Sequence, residues 1–418
     1  MKAFYLLVIV IFLSFLSCQA PHGGGEGGVV ERWDIFSLDI GPMEDQIAFF
    51  PFDGSHGFNR TNIAMRDGLL YIADGNGGKI VRYNSFGDLI FMIFNEETNP
   101  RPITLQTNFA EGRQATRWAF SFPLREPGII AVDSRNHIFV EDRLPRERVR
   151  FDTENNVMLD GVILHFDQDG RFIQYLGQDG IGGNPFPRII GLYTSIMDEI
   201  VVVCRLPDGW NIFWFNSSGM LLYLVMIDNN AIPQLPGSPS ALASVDSIKV
   251  SPDSRQLLIK VDYFYDIFDE SNMRIGREVG SSVIWTLNVE DGSYINYTEV
   301  PLFASEADPG EPPINVAYSL LGVMRNGIAL LYFPVDTGYS LVFLDTNTGR
   351  VRHGLIEFCK DGVIYNNFNL SAEGILIAIL IDEYQANLVG WRTDLFITRE
   401  WTPSQTPSVS ETEVSEEV

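Results

Sequence analysis

The chain of 418 residues is short of three things: cysteine, histidine and positive charge. It holds 3 Cys and 5 His, and 29 Lys and Arg stand against 54 Asp and Glu, a formal net charge of −25. Besides Cys18, only Cys204 and Cys359 remain. They could form at most one bridge, which excludes a disulfide-stapled scaffold. Neither belongs to a CxxC pattern or has a nearby His, so there is no redox or metal signal, and unpaired buried thiols are the expectation. A pI near 4.5 argues against nucleic acid and against unaided adsorption to anionic lipid. The histidines (His22, His56, His137, His165, His353) are scattered, with no HExxH, so a catalytic zinc site has little support. Ser371 lies in no GxSxG elbow, and P-loop and Rossmann fingerprints are missing. Gly75-Asn76-Gly77-Gly78 is glycine-rich but precedes a strand pattern rather than a helix, so it is no phosphate cradle.

What is present is apolar and aromatic, 45% and 12% of the chain, which suffices for a large core. Lys2 is followed by an apolar run from Ala3 to Leu16. That run is shorter than the roughly 20 residues of a membrane span and fits the apolar region of a secretory signal. Ser17-Cys18 follows at once. A small residue before a cysteine at this place resembles the lipobox of bacterial lipoproteins, although Phe15 and Leu16 stand where Leu and a small residue are usual. The expectation is a signal peptide over 1–17, lipid on Cys18, a glycine-rich tether over 18–28, a folded body over 29–402 and a disordered acidic tail over 403–418.

The body repeats. An aromatic or apolar residue, Asn or Asp, a few turn residues, Gly and another apolar residue recur as Tyr83-Asn84-Ser85-Phe86-Gly87-Asp88-Leu89, Phe166-Asp167-Gln168-Asp169-Gly170-Arg171-Phe172 and Phe215-Asn216-Ser217-Ser218-Gly219-Met220-Leu221. Weaker copies begin at Asn288 and Leu344. Asn or Asp caps such a turn with its side chain and Gly supplies the positive φ. A second hairpin precedes each turn, near Ile63, Ile130, Leu192, Ile248, Val316 and Phe368. Two linked hairpins make a four-stranded antiparallel sheet, and six such units without helical periodicity predict an all-β, six-bladed propeller. Insertions are expected over 143–160, 232–245, 263–280 and 303–313. Val29 to Leu38 reads as a strand without a local partner, and ring closure predicts that it pairs with the last blade within 388–401.

Leu70-Tyr71-Ile72-Ala73-Asp74 through Ile80-Val81-Arg82-Tyr83-Asn84 and Gly87 resembles an NHL repeat, and Leu176-Gly177-Gln178-Asp179-Gly180 resembles the linker between such repeats. The whole resembles the six-bladed, NHL-like lipoproteins of spirochaetes. The resemblance implies a membrane-anchored propeller in the bacterial cell envelope, on the inner or the outer membrane. It brings no assigned chemistry.

In a propeller the loops joining the second and third strands of each blade share one face. Here they carry Asp74 and Lys79, Asp142, Asp208, Asp262 and Asp266, Asp336, and Asp382. Two readings stand: an acidic rim that attracts a cation or a basic partner, or ordinary turn chemistry in an acidic chain. The segment from Val261 to Glu270 mixes four carboxylates with four aromatics and is either a partner-binding loop or packing against the ring. The cluster Arg143-Leu144-Pro145-Arg146-Glu147-Arg148-Val149-Arg150 is either a contact for an acidic partner or lipid headgroups or, as expected, a solvated insertion whose charges offset the acidic body. The expectation is a non-catalytic binding or scaffold module with a protein partner and no cofactor. The alternative is a lactonase-like, metal-dependent hydrolase or lyase drawing on Asp74, Asp208, Asp336 and Asp382.

Overall fold

The computed structural model describes residues 27–50, 60–107, 117–236, 241–305 and 314–398. Cys18, the expected signal peptide, most of the expected tether and the expected acidic tail lie outside the described residues. Among the described residues no helix is long and apolar enough to cross a membrane.

Six antiparallel sheets follow one another in the chain. Blade 1 is Asn62–Arg66, Leu69–Asp74, Lys79–Tyr83 and Leu89–Phe94, with Trp118–Ser121 added in parallel at its outer edge. Blade 2 is Ile130–Val132, Ile138–Arg143, Gly161–Phe166 and Phe172–Gly177, extended by Gly180–Ile181. Blade 3 is Ile189–Thr194, Ile200–Arg205, Gly209–Phe215 and Leu221–Asp228. Blade 4 is Leu242–Val250, Gln256–Phe268, Arg274–Asn288 and Tyr294–Val300. Blade 5 is Ser319–Val323, Ile328–Val335, Gly338–Asp345 and Val351–Glu357, and blade 6 is Tyr365–Leu370, Leu376–Ile381 and Gln385–Trp391.

The expected closure is present. Arg32–Asp39 pairs antiparallel with Gln385–Trp391 and supplies the fourth strand of blade 6. It is a separate strand from Gly28–Val29, which pairs in parallel with blade 5 through Gly28↔Gly354 and Val29↔Leu355. The N-terminal segment therefore clasps two blades. The closing partner ends at Trp391, and Thr393–Thr398 is a short helix rather than strand.

The core is not one mass but six apolar layers, one at each seam. Along Leu376–Ile381 every residue is buried: Ile377, Ile379 and Ile381 pack toward blade 1, whereas Leu376, Ala378 and Leu380 pack toward blade 5. Alternation with period two sends successive side chains to opposite sheet faces, so a strand buried on both faces reads as a continuous apolar run. The inner strands line a central cavity of about 330 Å³.

The recurring turns join third and fourth strands. In blades 1 to 3 the cap oxygen accepts two backbone N–H groups: Asn84 Oδ1 from Phe86 and Asp88, Asp167 Oδ1 from Asp169 and Arg171, and Asn216 Oδ1 from Ser218 and Met220. Glycine stands three residues on, with φ of 82° at Gly87, 85° at Gly170 and 87° at Gly219. Blades 4 and 5 use one more residue, with Gly292 and Gly349 at φ 71°, which is why those copies look weaker in the sequence.

Some expectations are corrected. Val316 belongs to a small hairpin, Phe303–Ala304 with Asn315–Val316, and blade 5 begins at Ser319. Residues 263–280 are not an inserted loop. The two middle strands of blade 4 run on as a long hairpin whose turn is Asp269 to Met273. Cys204 is buried, but Cys359 is exposed, and both are free.

Candidate functional site

Two kinds of surface meet solvent at the ends of the ring. Loops between first and second strands share one end with the capped turns, and that end is tied across its seams. Asp198 of blade 3 accepts from Ser134 N and Oγ of blade 2, both at 2.8 Å. Glu199, 4% exposed, holds Arg255 of blade 4 at 2.7 Å and accepts from Trp214 Nε1 at 2.7 Å. Arg325 of blade 5 pairs with Glu373 of blade 6 at 3.2 Å.

The opposite end carries the loops between second and third strands and all the candidate residues. Asp74 is buried and accepts from Ala48 N at 2.8 Å and Gly77 N at 3.0 Å. Burial pushes its carboxyl upward, opposed by Lys79 at 3.9 Å. Lys79 is equally buried, and its ammonium donates to Met43 O at 2.7 Å. Burial lowers its pKa, and Asp74 works against that. Asp142 accepts from Arg125 N, Glu126 N at 2.8 Å and Arg143 N at 2.8 Å, yet burial raises it to about 6. Asp262 is gripped by Lys260 Nζ at 2.6 Å, and burial raises its pKa against that partner.

The remaining candidates are exposed or half-exposed. Asp382 caps its own turn through Tyr384 N and Gln385 N, both at 2.8 Å. Asp266 pairs with Arg277 at 2.8 Å on the blade 4 hairpin. Asp208 and Asp336 sit on exposed turns. Thus the eight residues share one end of the ring but do not converge. None of them lines the central cavity, where Glu373 is the only carboxylate among the lining residues. Among the described residues no group of three or more His, Cys, Asp or Glu is placed to share a metal ion.

Two features of this end escaped sequence reasoning. The first is a buried frame: Arg60 pairs with Glu141, and Glu44 accepts from Ile103 N at 2.7 Å and Thr104 N at 2.9 Å. Buried carboxylates here tie down connecting segments through backbone N–H groups, a long-range use without local signature. Lys260-x-Asp262 did carry a signal, because residues i and i+2 of a strand share a face. The second is the blade 4 hairpin. Its strands continue past the blade, and its tip exposes Phe268 (54%), Met273 (65%) and Ile275 (65%). Tyr265 is half-buried, while Asp266 pairs with Arg277 and Arg274 along the arm. The basic cluster is a short turn, Arg146–Arg148, followed by the hairpin Arg150–Asp152 with Val157–Leu159. Arg143 pairs with Asp160 and Arg150 with Asn184.

No family model and no curated protein matches the chain. Among solved structures it is similar to a polysaccharide lyase at 9% identity and TM-score 0.42, covering 87% of this chain and 99% of that one. It is similar to a gluconolactonase from Xanthomonas campestris at 11% identity and TM-score 0.38, covering 89% and 98%. It is also similar to the β-propeller domain of the trilobed protease of Pyrococcus furiosus at 10% identity and TM-score 0.35, covering 80% and 96%. The blade order and closure described above make this chain a six-bladed β-propeller.

Proposed function

We propose that this propeller is a binding or scaffold module without catalysis, lipid-anchored through Cys18 in a bacterial cell envelope, and that it is an NHL-like lipoprotein of the spirochaetal type. The observation that carries the binding reading is the blade 4 arm, which holds three apolar side chains more than half exposed beyond the packed blade. Exposed apolar area costs solubility and is characteristic of surfaces that meet a partner. The anchor reading is supported by the apolar run, Ser17-Cys18 and the glycine-rich stretch that follows. An envelope protein is the partner expected for the arm; nucleic acid is not, given the net charge of −25. No observation favours the metal-dependent hydrolase over this reading.

The test is affinity capture from native membranes with the intact chain and with a variant in which residues 266–276 are replaced by a tight Asn-Gly turn. A discrete partner that is lost with the arm is the expected result. A partner retained without the arm, or none with it, contradicts the reading. Mass spectrometry of the N-terminal peptide tests the anchor separately: a diacylated or triacylated Cys18 is expected, and an unmodified one in the cell contradicts it.

A further inference from the structure

Several arginines at the seams have an acidic partner, Arg60 with Glu141, Arg135 with Asp133, Arg255 with Glu199 and Arg325 with Glu373, and Arg82, which makes no ion pair among the described residues, donates to Gln168 O of blade 2 at 2.8 Å. With 54 acidic residues to 29 basic ones, partners are plentiful. Arg188 and Arg205 are different. Neither makes an ion pair among the described residues, and they stand next to each other.

The register of blade 3 brings this about. Arg205 N donates to Arg188 O at 2.9 Å, and Arg205 lies opposite Trp210 on the next strand. Arg188, Arg205 and Trp210 therefore form one cross-strand row at the end of the blade that carries the candidate residues. The row faces blade 4, since Trp210 belongs to the apolar layer of that seam. The Arg205 guanidinium stacks over the Trp210 ring at 4.2 Å. Burial and then the charge of Arg188 pull the Arg205 pKa below its usual value, and no carboxylate opposes them. Two donors in the row, Arg205 Nη1 and Trp210 Nε1, are buried without an acceptor.

The seam is well filled by apolar side chains but open at its inner rim. The inner strands of blades 3 and 4 are the most weakly apposed neighbouring pair. They are joined instead by Ile196 N to Pro252 O at 2.9 Å and Tyr193 Oη to Ile248 O at 3.5 Å. Both ties lie toward the far end of the inner strands. Near the arginine row Ile190 sits at a bulge, 36% exposed, and lines the central cavity.

Arg188 is exposed and Arg205 half-buried, so their repulsion is partly screened, but with no counter-ion it still costs stability, and the buried unmatched donors Arg205 Nη1 and Trp210 Nε1 add to that cost. A bound oxyanion removes both costs at once. It accepts from the guanidinium fork and the indole N–H and neutralises the paired charge. We propose that Arg188, Arg205 and Trp210 form an oxyanion site at the blade 3–blade 4 seam that takes the carboxylate or phosphate group of an anionic ligand. The site is independent of the blade 4 arm, so either can fail without the other.

The experiment uses the purified full-length chain, with inorganic phosphate and succinate as probes and sodium chloride at matched ionic strength as the control. Calorimetric titration and thermal melting are read together. The expected result is saturable binding of phosphate, succinate or both, with a rise in melting temperature that chloride does not produce. Phosphate alone assigns a phosphate group, and succinate alone a carboxylate. Arg188→Gln and Arg205→Gln each weaken binding by at least about tenfold, equivalent to about 1.4 kcal/mol. Without ligand, Arg188→Gln raises the melting temperature, because a like-charge neighbour is gone. If Arg205→Gln does not fold, Arg205→Lys, which keeps the charge and loses the fork, weakens binding by a smaller factor. Arg350→Gln, on a capped turn at the other end of the ring, leaves binding unchanged. The proposal is overturned if neither probe binds better than chloride, or if Arg188→Gln binds as the parent does.

Discussion

The two ends of the ring solve opposite problems with the same residue types. At the end of the capped turns, charge and amide groups bridge seams: Asp198 to blade 2, Glu199 to blade 4, Glu373 to blade 5. At the other end, carboxylates of blades 1 and 2 turn inward and hold connecting segments, as Asp74 holds Ala48 N and Asp142 holds Arg125 N and Glu126 N. What projects there is variable: the Arg150–Asp152 hairpin, the blade 4 arm and the unpaired arginine row. The contrast teaches that regular turns keep the wheel together, while irregular ones are free to acquire a surface.

The largest effect should come from breaking a seam. Glu199→Ala leaves Trp214 Nε1 without an acceptor and Arg255 with Glu290 as its one remaining ion-pair partner beside Tyr223 Oη, and should cost about 3 kcal/mol in urea unfolding. Asp208→Ala and Asp336→Ala, exposed at the other end, should change stability by less than about 0.5 kcal/mol. Equal costs at both ends would break the comparison.

Acidity should sharpen it, because the two ends of blade 2 respond with opposite sign. Asp142 is raised to about 6 when folded, against the ordinary 3.8 of an aspartate carboxyl. The native state prefers its acid form, so this group adds stability as pH falls from about 6 toward 3.8. His165 lies toward the capped-turn end, 3.0 Å from His137. Burial and then His137 lower it to about 4 from 6.5. The native state prefers the neutral ring, so stability is fully present above 6.5 and is lost as pH falls through 4. Each effect amounts to about 3 kcal/mol at most, on the scale of 1.36 kcal/mol per pKa unit. Unfolding curves of the parent, Asp142→Asn and His165→Gln across pH 7 to 4 separate them. The stability gap between parent and Asp142→Asn should shift in the parent's favour on acidification, and the gap to His165→Gln should shift against it.

Smaller effects discriminate among the capped turns. A Cβ at Gly87 would approach Phe36 Cγ to 3.1 Å at φ 82°, whereas at Gly292 it meets nothing within 4 Å. Gly292→Ala should cost about 1 kcal/mol from the backbone alone, and Gly87→Ala should cost more, about 2 kcal/mol, by thermal melting. Equal losses would mean that Phe36 of the closing strand yields without cost.

The difference between the ends also explains what the sequence made legible. A capped turn is local: Asn84 meets partners two and four residues on, and Gly87 is needed for its own φ. Such turns, and the both-sided burial of Leu376–Ile381, show in the chain without knowledge of any neighbour. The roles of Asp74 and Lys79 do not. Ala-Asp-Gly-Asn-Gly-Gly-Lys reads as an exposed loop, and segments distant in the chain, through Met43, Ala48, Phe49 and Asn99, cover it. The arm reads as an insertion in the sequence because its apolar and charged residues keep no sharp boundary where the blade ends. The row of Arg188, Arg205 and Trp210 exists only through strand register, which sequence spacing does not reveal.

The binding reading proposed above puts the partner at the irregular end of the wheel and leaves the regular end free. Site-specific photo-crosslinking in intact cells compares two exposed apolar positions: Met273 on the arm, 65% exposed, and Phe86 on a capped turn, 87% exposed. A discrete crosslinked species from position 273 and none from position 86 is the predicted result. Crosslinking from 86 alone, from both positions alike, or from neither would contradict it.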